Sequence, residues 1–357
     1  MKRMIGFELE KIWSKKIVRL GLLLLLLLGL FSSIAGIRHE YDVITPQGEE
    51  LTGKEGKAYI KEKVREYAGL LNDEKKETIL KREAAADTIP YSYLYELPLY
   101  TAMRETFMEE YGAHYGETVD EAYTKQGITV EVGYADRWTG LLNLMQQFTM
   151  ILGVVILVAL SGVFSEEYTR GTDALILTSR HGKKKSIHAK ILASFLFTAG
   201  CYVLLLLCCL IPFLADDGWY GWDAGIQLDT QCSLSSTPFT LNCGQAALLF
   251  FVSGLLSMLL LTAVTLFVSA VSRTAFLSVV LCAVLYFLPI LAANLLPMKW
   301  ILLTPLGASM VEVIRMEKIS FLGLSFFFQA EILAVTGLTA GLSWIFSRRC
   351  FSKHQVA

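Results

Sequence analysis

The chain has 357 residues, of which 54% are hydrophobic and 18% charged, with a formal net charge of −1 and a mean hydropathy of +0.49. The apolar residues fall in long uncharged runs, which excludes a soluble globular domain or a disordered chain and indicates an integral membrane protein. Six runs are candidate spans. The expected fold is an all-α polytopic membrane protein of six transmembrane helices, with a mainly helical extracellular domain between the first and second spans.

Residues 1–16 come first. Ile5, Leu9, Ile12 and Trp13 share one helical face, with Lys11 and Lys15 off it, the pattern of an amphipathic helix lying in the inner interface. The simpler alternative is a basic flank that only sets topology. Residues 17–37 make the first span, with an apolar core at 20–37. A basic head, an apolar core and small residues at 32–36 also suit a cleavable signal peptide. The run is long for one and five more spans follow, which favours an uncleaved anchor.

Residues 38–140 carry 13 Lys and Arg against 21 Asp and Glu. Ile60, Val64, Tyr67 and Leu71 follow helical spacing, so 54–83 reads as one long helix or a helical hairpin. An aromatic-rich stretch follows Pro90, and 11 of the chain's 15 Tyr lie in 38–140. A small helical domain with Tyr in a modest core is one reading; a surface for a substrate or an extracellular partner is the other.

The remaining spans are 141–164, 191–214, 245–271, 274–297 and 322–346, within a five-helix region 141–346, and 347–357 is a tail. Arg273 is the only charge between Asp229 and Lys299, so a tight turn at 272–274 joins two spans. Between the second and third spans lies a charged elbow, 165–190. Glu166, Glu167 and Tyr168 continue the preceding helix, and Gly171 can break it in the left-handed conformation. Thr172 or Asp173 can cap a short new helix carrying Leu175 and Ile176. Residues 179–182 then turn the chain into Lys183, Lys184 and Lys185. A topology signal would need only the lysines. The Gly-Thr break and the apolar patch at 174–177 suggest a handle for a cytosolic partner.

With the N-terminus inside, the inner segments hold 16 Lys and Arg against 5 acids, and the outer segments 16 against 27. Residues 215–244 contain no Lys or Arg. This positive-inside pattern places both termini in the cytoplasm of a multi-pass plasma-membrane protein. Trp13, Trp138, Trp219, Trp222, Trp300 and Trp344 all stand near span ends, as an aromatic belt would.

Asn143, Gln146, Gln147, Asn294, Gln329 and Glu331 fall in the outer half of the bilayer. Glu331 lies ~9–14 Å in at ~1.5 Å per residue, with no intramembrane Lys or Arg to pair with it. These side chains are either interhelical hydrogen-bond glue or the wall of an outward vestibule on a substrate path. Cys232 and Cys243 share the second outer loop, where a disulfide or two free thiols are equal alternatives. No G-x-x-x-x-G-K-[ST] occurs, since Gly182-Lys183 is followed by Lys184. The five His form no ligand spacing, and no catalytic constellation can be argued. Triple Lys beside a span is a topology or lipid-facing feature rather than a nucleic-acid site. No catalytic residue, metal site or cofactor is expected in this chain.

The elbow pattern Glu167-Tyr168-x-x-Gly171-Thr172, followed by residues 175–179, 183–185 and Ala189-Lys190, resembles that of ABC-2-type transporter permeases. So do Phe7-Glu8-Leu9-x-Lys11-Ile12 before the first span and the six-span layout with its large first outer loop. The resemblance implies a membrane subunit, an exporter, paired with an identical or sister permease and driven by a separate cytosolic ABC ATPase that binds ATP and Mg²⁺. It further implies that the elbow is a coupling helix seated in a groove of that ATPase, with contacts from Glu167, Gly171, Thr172, Leu175, Arg180 and Lys183. Arg180-His181 stands where the family often has Pro. Thr304-Pro305-Leu306 is similar to the family's short re-entrant segment. The rival reading is an ATPase-independent membrane sensor or scaffold with the extracellular domain as receptor.

Overall fold

The computed structural model describes residues 1–39, 41–45, 49–67, 69–70, 131–172, 185–228, 234, 237, 240–293, 295–316, 319–321 and 324–353. The chain opens with α1 (Lys2–Trp13) and α2 (Lys16–His39). Beyond α2 come a two-residue hairpin of β1 (Val43–Ile44) and β2 (Glu50–Leu51), α3 (Gly53–Tyr67), and β3 (Gly69–Leu70) paired antiparallel with β4 (Glu131–Val132). The long helices follow: α4 (Asp136–Leu160), α5 (Gly162–Thr169), α6 (Ile187–Asp217), α7 (Cys243–Val271) and α8 (Ala275–Leu291). A short α9 (Met298–Leu302), two 3₁₀ turns and a hairpin of β5 (Ile319–Phe321) and β6 (Leu324–Phe326) lead to α10 (Gln329–Lys353).

Among the described residues five helical stretches are long and apolar enough to cross a membrane: Lys16–His39, Asp136–Thr169, Ile187–Asp217, Cys243–Val271 and Gln329–Cys350. α7 is the hub, packed against α4, α5, α6, α8 and α10. An Asn242–Gln245 capping box starts it, each side chain accepting from the other residue's backbone amide, which occupies two otherwise orphaned helix donors. α2 is the opposite case. Val18, Leu22, Leu25, Gly29 and Ser33 form one buried stripe, while Leu20, Leu23, Leu24, Leu27, Leu28 and Phe31 stay exposed. A leucine run has no sequence periodicity, yet its helix is half core and half lipid-facing.

Two span boundaries differ from expectation. The expected span 274–297 is a helix only over Ala275–Leu291, 17 residues with Pro289 inside, ~25 Å long at 1.5 Å per residue. The last helix starts at Gln329 rather than 322. Residues 319–321 and 324–326 pair instead as β5 and β6, and Ile319, Phe321 and Phe326 are residue types enriched in strands. In the segment 38–140, α3 ends at Tyr67 and gives way to β3, so 54–83 is not one unbroken helix, and the second arm of the hairpin alternative falls outside the described residues. Residues 71–130, with the tyrosine-rich stretch after Pro90, lie outside the described residues.

The 215–244 end of the bundle is locked by one buried cation. Arg137, 2% exposed, donates to the carbonyls of Phe213 (2.5 Å), Gly218 (2.9 Å) and Tyr220 (3.3 Å), satisfying acceptors left open where α6 ends. Gly221 is required there: its φ is +78°, and a Cβ would stand 2.3 Å from the Tyr134 carbonyl oxygen. Lys57 and Lys61 of α3 pair with Asp216 and Asp217, holding α3 against that end. Trp138 is fully buried between Phe213, Trp219 and Trp222. It is a core residue, not part of an exposed belt.

Candidate functional site

The elbow's stem is α5. Ser161 interrupts the helix before it, and the amides of Phe164 and Ser165 donate to Ser269 Oγ of α7 at 3.1 and 3.3 Å. Tyr168 Oη donates to the Ala270 carbonyl at 3.1 Å. These three bonds fix the stem to the hub helix. The stem ends in a Schellman motif, with Thr172 N donating to Glu167 O at 3.0 Å and Gly171 N to Tyr168 O at 3.2 Å. Gly171 adopts φ +64°, the left-handed conformation its place in the sequence predicts. Residues 173–184, with Leu175, Arg180 and Lys183, lie outside the described residues.

Three helices meet in an ionic cluster beneath that stem. Lys190 of α6, whose side chain is fully buried, places Nζ 2.5 Å from Glu167 Oε1 and 3.1–3.2 Å from the two Glu8 oxygens of α1. Lys11 Nζ stands 3.0 Å from the same Glu167 oxygen, and Lys15 Nζ 2.6 Å from Glu166 Oε1. Glu167 is 3% exposed, and its Oε2 finds no donor among the described residues. Burial alone would depress the Lys11 ammonium; Glu167 and Glu8 outweigh it and hold its pKa above the ordinary lysine value. The resulting stability is fully present below the unfolded value near 10.5 and is lost only as pH rises through the raised folded value. Lys11 therefore keeps its charge across the physiological range.

A model described as ABC-2 family transporter protein matches residues 11–322. The chain belongs to the ABC-2 family of transporter proteins. It is an integral membrane protein, and permeases of this family are the membrane component that works with a separate ABC ATPase rather than the ATPase itself. A comparison with curated proteins returns no match.

In this permease the expected coupling residues separate into two groups. Gly171 and Thr172 sit at the stem's end, while Glu167 points into the bundle and is committed to Lys11 and Lys190. Glu167 thus holds the stem in place rather than presenting itself at the surface. Its partners Glu8, Lys11 and Lys190 were among the residues carrying the family resemblance, yet charge counting treats them as topology signals. The usable clue was a lone Lys at the head of an apolar run, facing a Glu on another helix end.

The polar residues expected at similar depth also divide. Gln146 Oε1 accepts from Val311 N at 2.5 Å, and Gln329 Nε2 donates to Val313 O at 3.4 Å. Both serve the buried 3₁₀ turn Val311–Ile314, which packs on α7 beside the Pro305 carbonyl that accepts from Ser257 Oγ. Asn143 and Gln147 bond each other at 3.3 Å. Asn294 lies outside the described residues. Glu331 has a cationic partner after all: Lys299 of α9 stands 3.3 Å away, because α9 folds back toward the start of α10. With Lys299 48% and Glu331 28% exposed, the pair is worth at most about 1 kcal/mol. Glu331→Gln is expected to leave the thermal midpoint of the detergent-solubilised protein nearly unchanged. A large drop would mean that Glu331 carries a buried charge. Cys243 is buried at the start of α7, and Cys232 lies outside the described residues.

Proposed function

We propose that this chain is the permease subunit of an ABC exporter. It spans the plasma membrane six times, the short α8 included, with both termini in the cytoplasm. It pairs with a second permease subunit and takes its driving force from a separate cytosolic ATPase, which binds ATP and Mg²⁺ and docks on the 165–190 elbow. The observation that carries this reading is the clamped stem. A loop that only set topology would need positive charge, whereas Glu167 commits a buried carboxylate to fixing α5 against α1 and α6. Such a fixed stem can transmit force. Gly171, Thr172, Leu175, Arg180 and Lys183 then contact the ATPase, and Glu167 positions them. Asn143, Gln147, Asn294 and Glu331 are candidates for the outward end of the substrate path, with Gln146 and Gln329 supporting its wall.

Affinity purification of the full chain in mild detergent tests this. The expected result is an equimolar ABC ATPase, recognised by its Walker A peptide, with hydrolysis stimulated by the permease. Its absence, with the chain intact and membrane-inserted, would leave the sensor or scaffold reading standing. Crosslinking in membranes that yields only monomer would count against the paired subunits.

A further inference from the structure

α6 is a single helix of 31 residues, about 45 Å long at 1.5 Å per residue, and it is tied to its neighbours at both ends. Near Ile187, Lys190 binds Glu8 and Glu167, whose side chains are 12% and 4% exposed while that of Lys190 is fully buried. Near Asp217, Arg137 of α4 donates to the carbonyls of Phe213 and Gly218. These bonds brace the last turns just beyond Pro212, where a helix is prone to bend. The two arms of the elbow, α4 with α5 on one side and α6 on the other, are thus joined by buried ties at both ends.

A different tie holds α3 to the Asp217 end. Lys57 and Lys61 meet Asp216 and Asp217 at 2.8–3.4 Å, and their ammonium groups lie over the rings of Tyr41 and Tyr220 at 5.0 and 4.5 Å. These four charged side chains keep 15–32% of their surface in solvent. A pair so exposed favours the closed arrangement by about fivefold at most. Beneath α3 lies a small core of Tyr41, Val43, Ile60 and Tyr134, separate from the core of the bundle. α3 can therefore lift from the end of α6 without opening the bundle itself.

We propose that α3 is a releasable strap on the end of α6, closed in this structure, which opens when the ATPase moves the elbow. The proposal rests on the functional reading above for its motor and its topology, and adds a moving part to it. Movement of the elbow reaches α6 through the buried Lys190 pair, which slips only at high cost because a stranded buried charge is strongly unfavourable. α6 carries the movement along its length, and Arg137 keeps α4 in step. Of the three ties on α6, the half-exposed one to α3 is the weakest, so it gives first. Two discrete arrangements, strap closed and strap open, then report the state of the motor on the opposite side of the membrane.

Ile60→Cys is the reporter, because Ile60 is 3% exposed beneath α3. The full-length chain with its co-purified ATPase is placed in nanodiscs, and maleimide labelling is read by mass on the peptide carrying position 60. Labelling is expected to be slow without nucleotide and at least threefold faster during ATP hydrolysis. Lys57→Gln with Lys61→Gln should label about tenfold faster than the parent and no longer respond to ATP. Exchanging the charges, with Lys57→Asp and Lys61→Asp alongside Asp216→Lys and Asp217→Lys, should restore both the protection and the response. Equal labelling with and without ATP, in a complex that hydrolyses it, would overturn the strap while leaving the permease reading intact. Parental protection of position 60 in the Lys57→Gln, Lys61→Gln chain would overturn it equally, since the pairs would then not hold α3 down. If no ATPase accompanies the parent chain, the functional reading falls and the strap loses its motor with it.

Discussion

Lys190→Met is expected to release α1 from the elbow stem. The side chain is fully buried and touches carboxylates from two helices at 2.5 and 3.1 Å. Methionine fills similar volume but leaves Glu8 and Glu167 facing each other with only Lys11 to compensate. Removing one partner of a buried ion pair costs about 3–5 kcal/mol, because the remaining charge is stranded. The reporter is Ile12→Cys on α1, at a position 4% exposed. A maleimide should label it slowly in the otherwise native chain and rapidly when Lys190→Met is added. Adding Glu167→Gln to Lys190→Met should cost less than the two changes taken separately, because the second removes the charge that the first stranded. Continued protection of position 12, with an unshifted thermal midpoint, would show that the cluster does not hold α1 in place.

The elements that could be read from sequence were those set by local chemistry. Gly171 is an example: a helix followed by Gly-Thr calls for a left-handed residue, and φ there is +64°. Long uncharged runs likewise announced the spans of α2, α4, α6 and α7. Their faces were hidden, since nothing in the run 22–28 distinguishes buried Leu22 and Leu25 from exposed Leu23 and Leu24. Hydropathy also carried the fifth span past its helix, to Pro297, and began the last one at residues that pair as β-strands. The ionic cluster was invisible for a different reason. Lys190 and Glu8 are 182 residues apart, and a positive-inside count treats each charge as independent. Lys299 illustrates the same blind spot: counted only as a loop charge between the fifth and sixth spans, it stands 3.3 Å from Glu331.

Changing the elbow's geometry without changing its charge is expected to uncouple the permease from its ATPase. A Cβ at position 171 would meet nothing within 4 Å, so the cost of Gly171→Val lies entirely in the backbone. The left-handed conformation costs an L residue about 1–2 kcal/mol, more when the side chain is β-branched. The Schellman bonds from Thr172 and Gly171 would loosen, and the chain beyond would leave the stem at a new angle. Gly171→Asn is the control, since Asn tolerates that conformation and should bind nearly as well as glycine. Leu175→Asp acts on the proposed contact itself: a carboxylate moved into a dry apolar socket loses several kcal/mol, a fall of about 100-fold or more in affinity. Neither change alters the Lys and Arg count, so insertion and orientation should survive. Replacing Lys183, Lys184 and Lys185 by Arg should be mild, since it preserves the charge. The measurement is ATPase co-purification and stimulated hydrolysis for each correctly inserted variant. Normal values for both Gly171→Val and Leu175→Asp would return the elbow to a topology signal. Loss in both, with Gly171→Asn and the arginine variant intact, would identify a device that depends on shape.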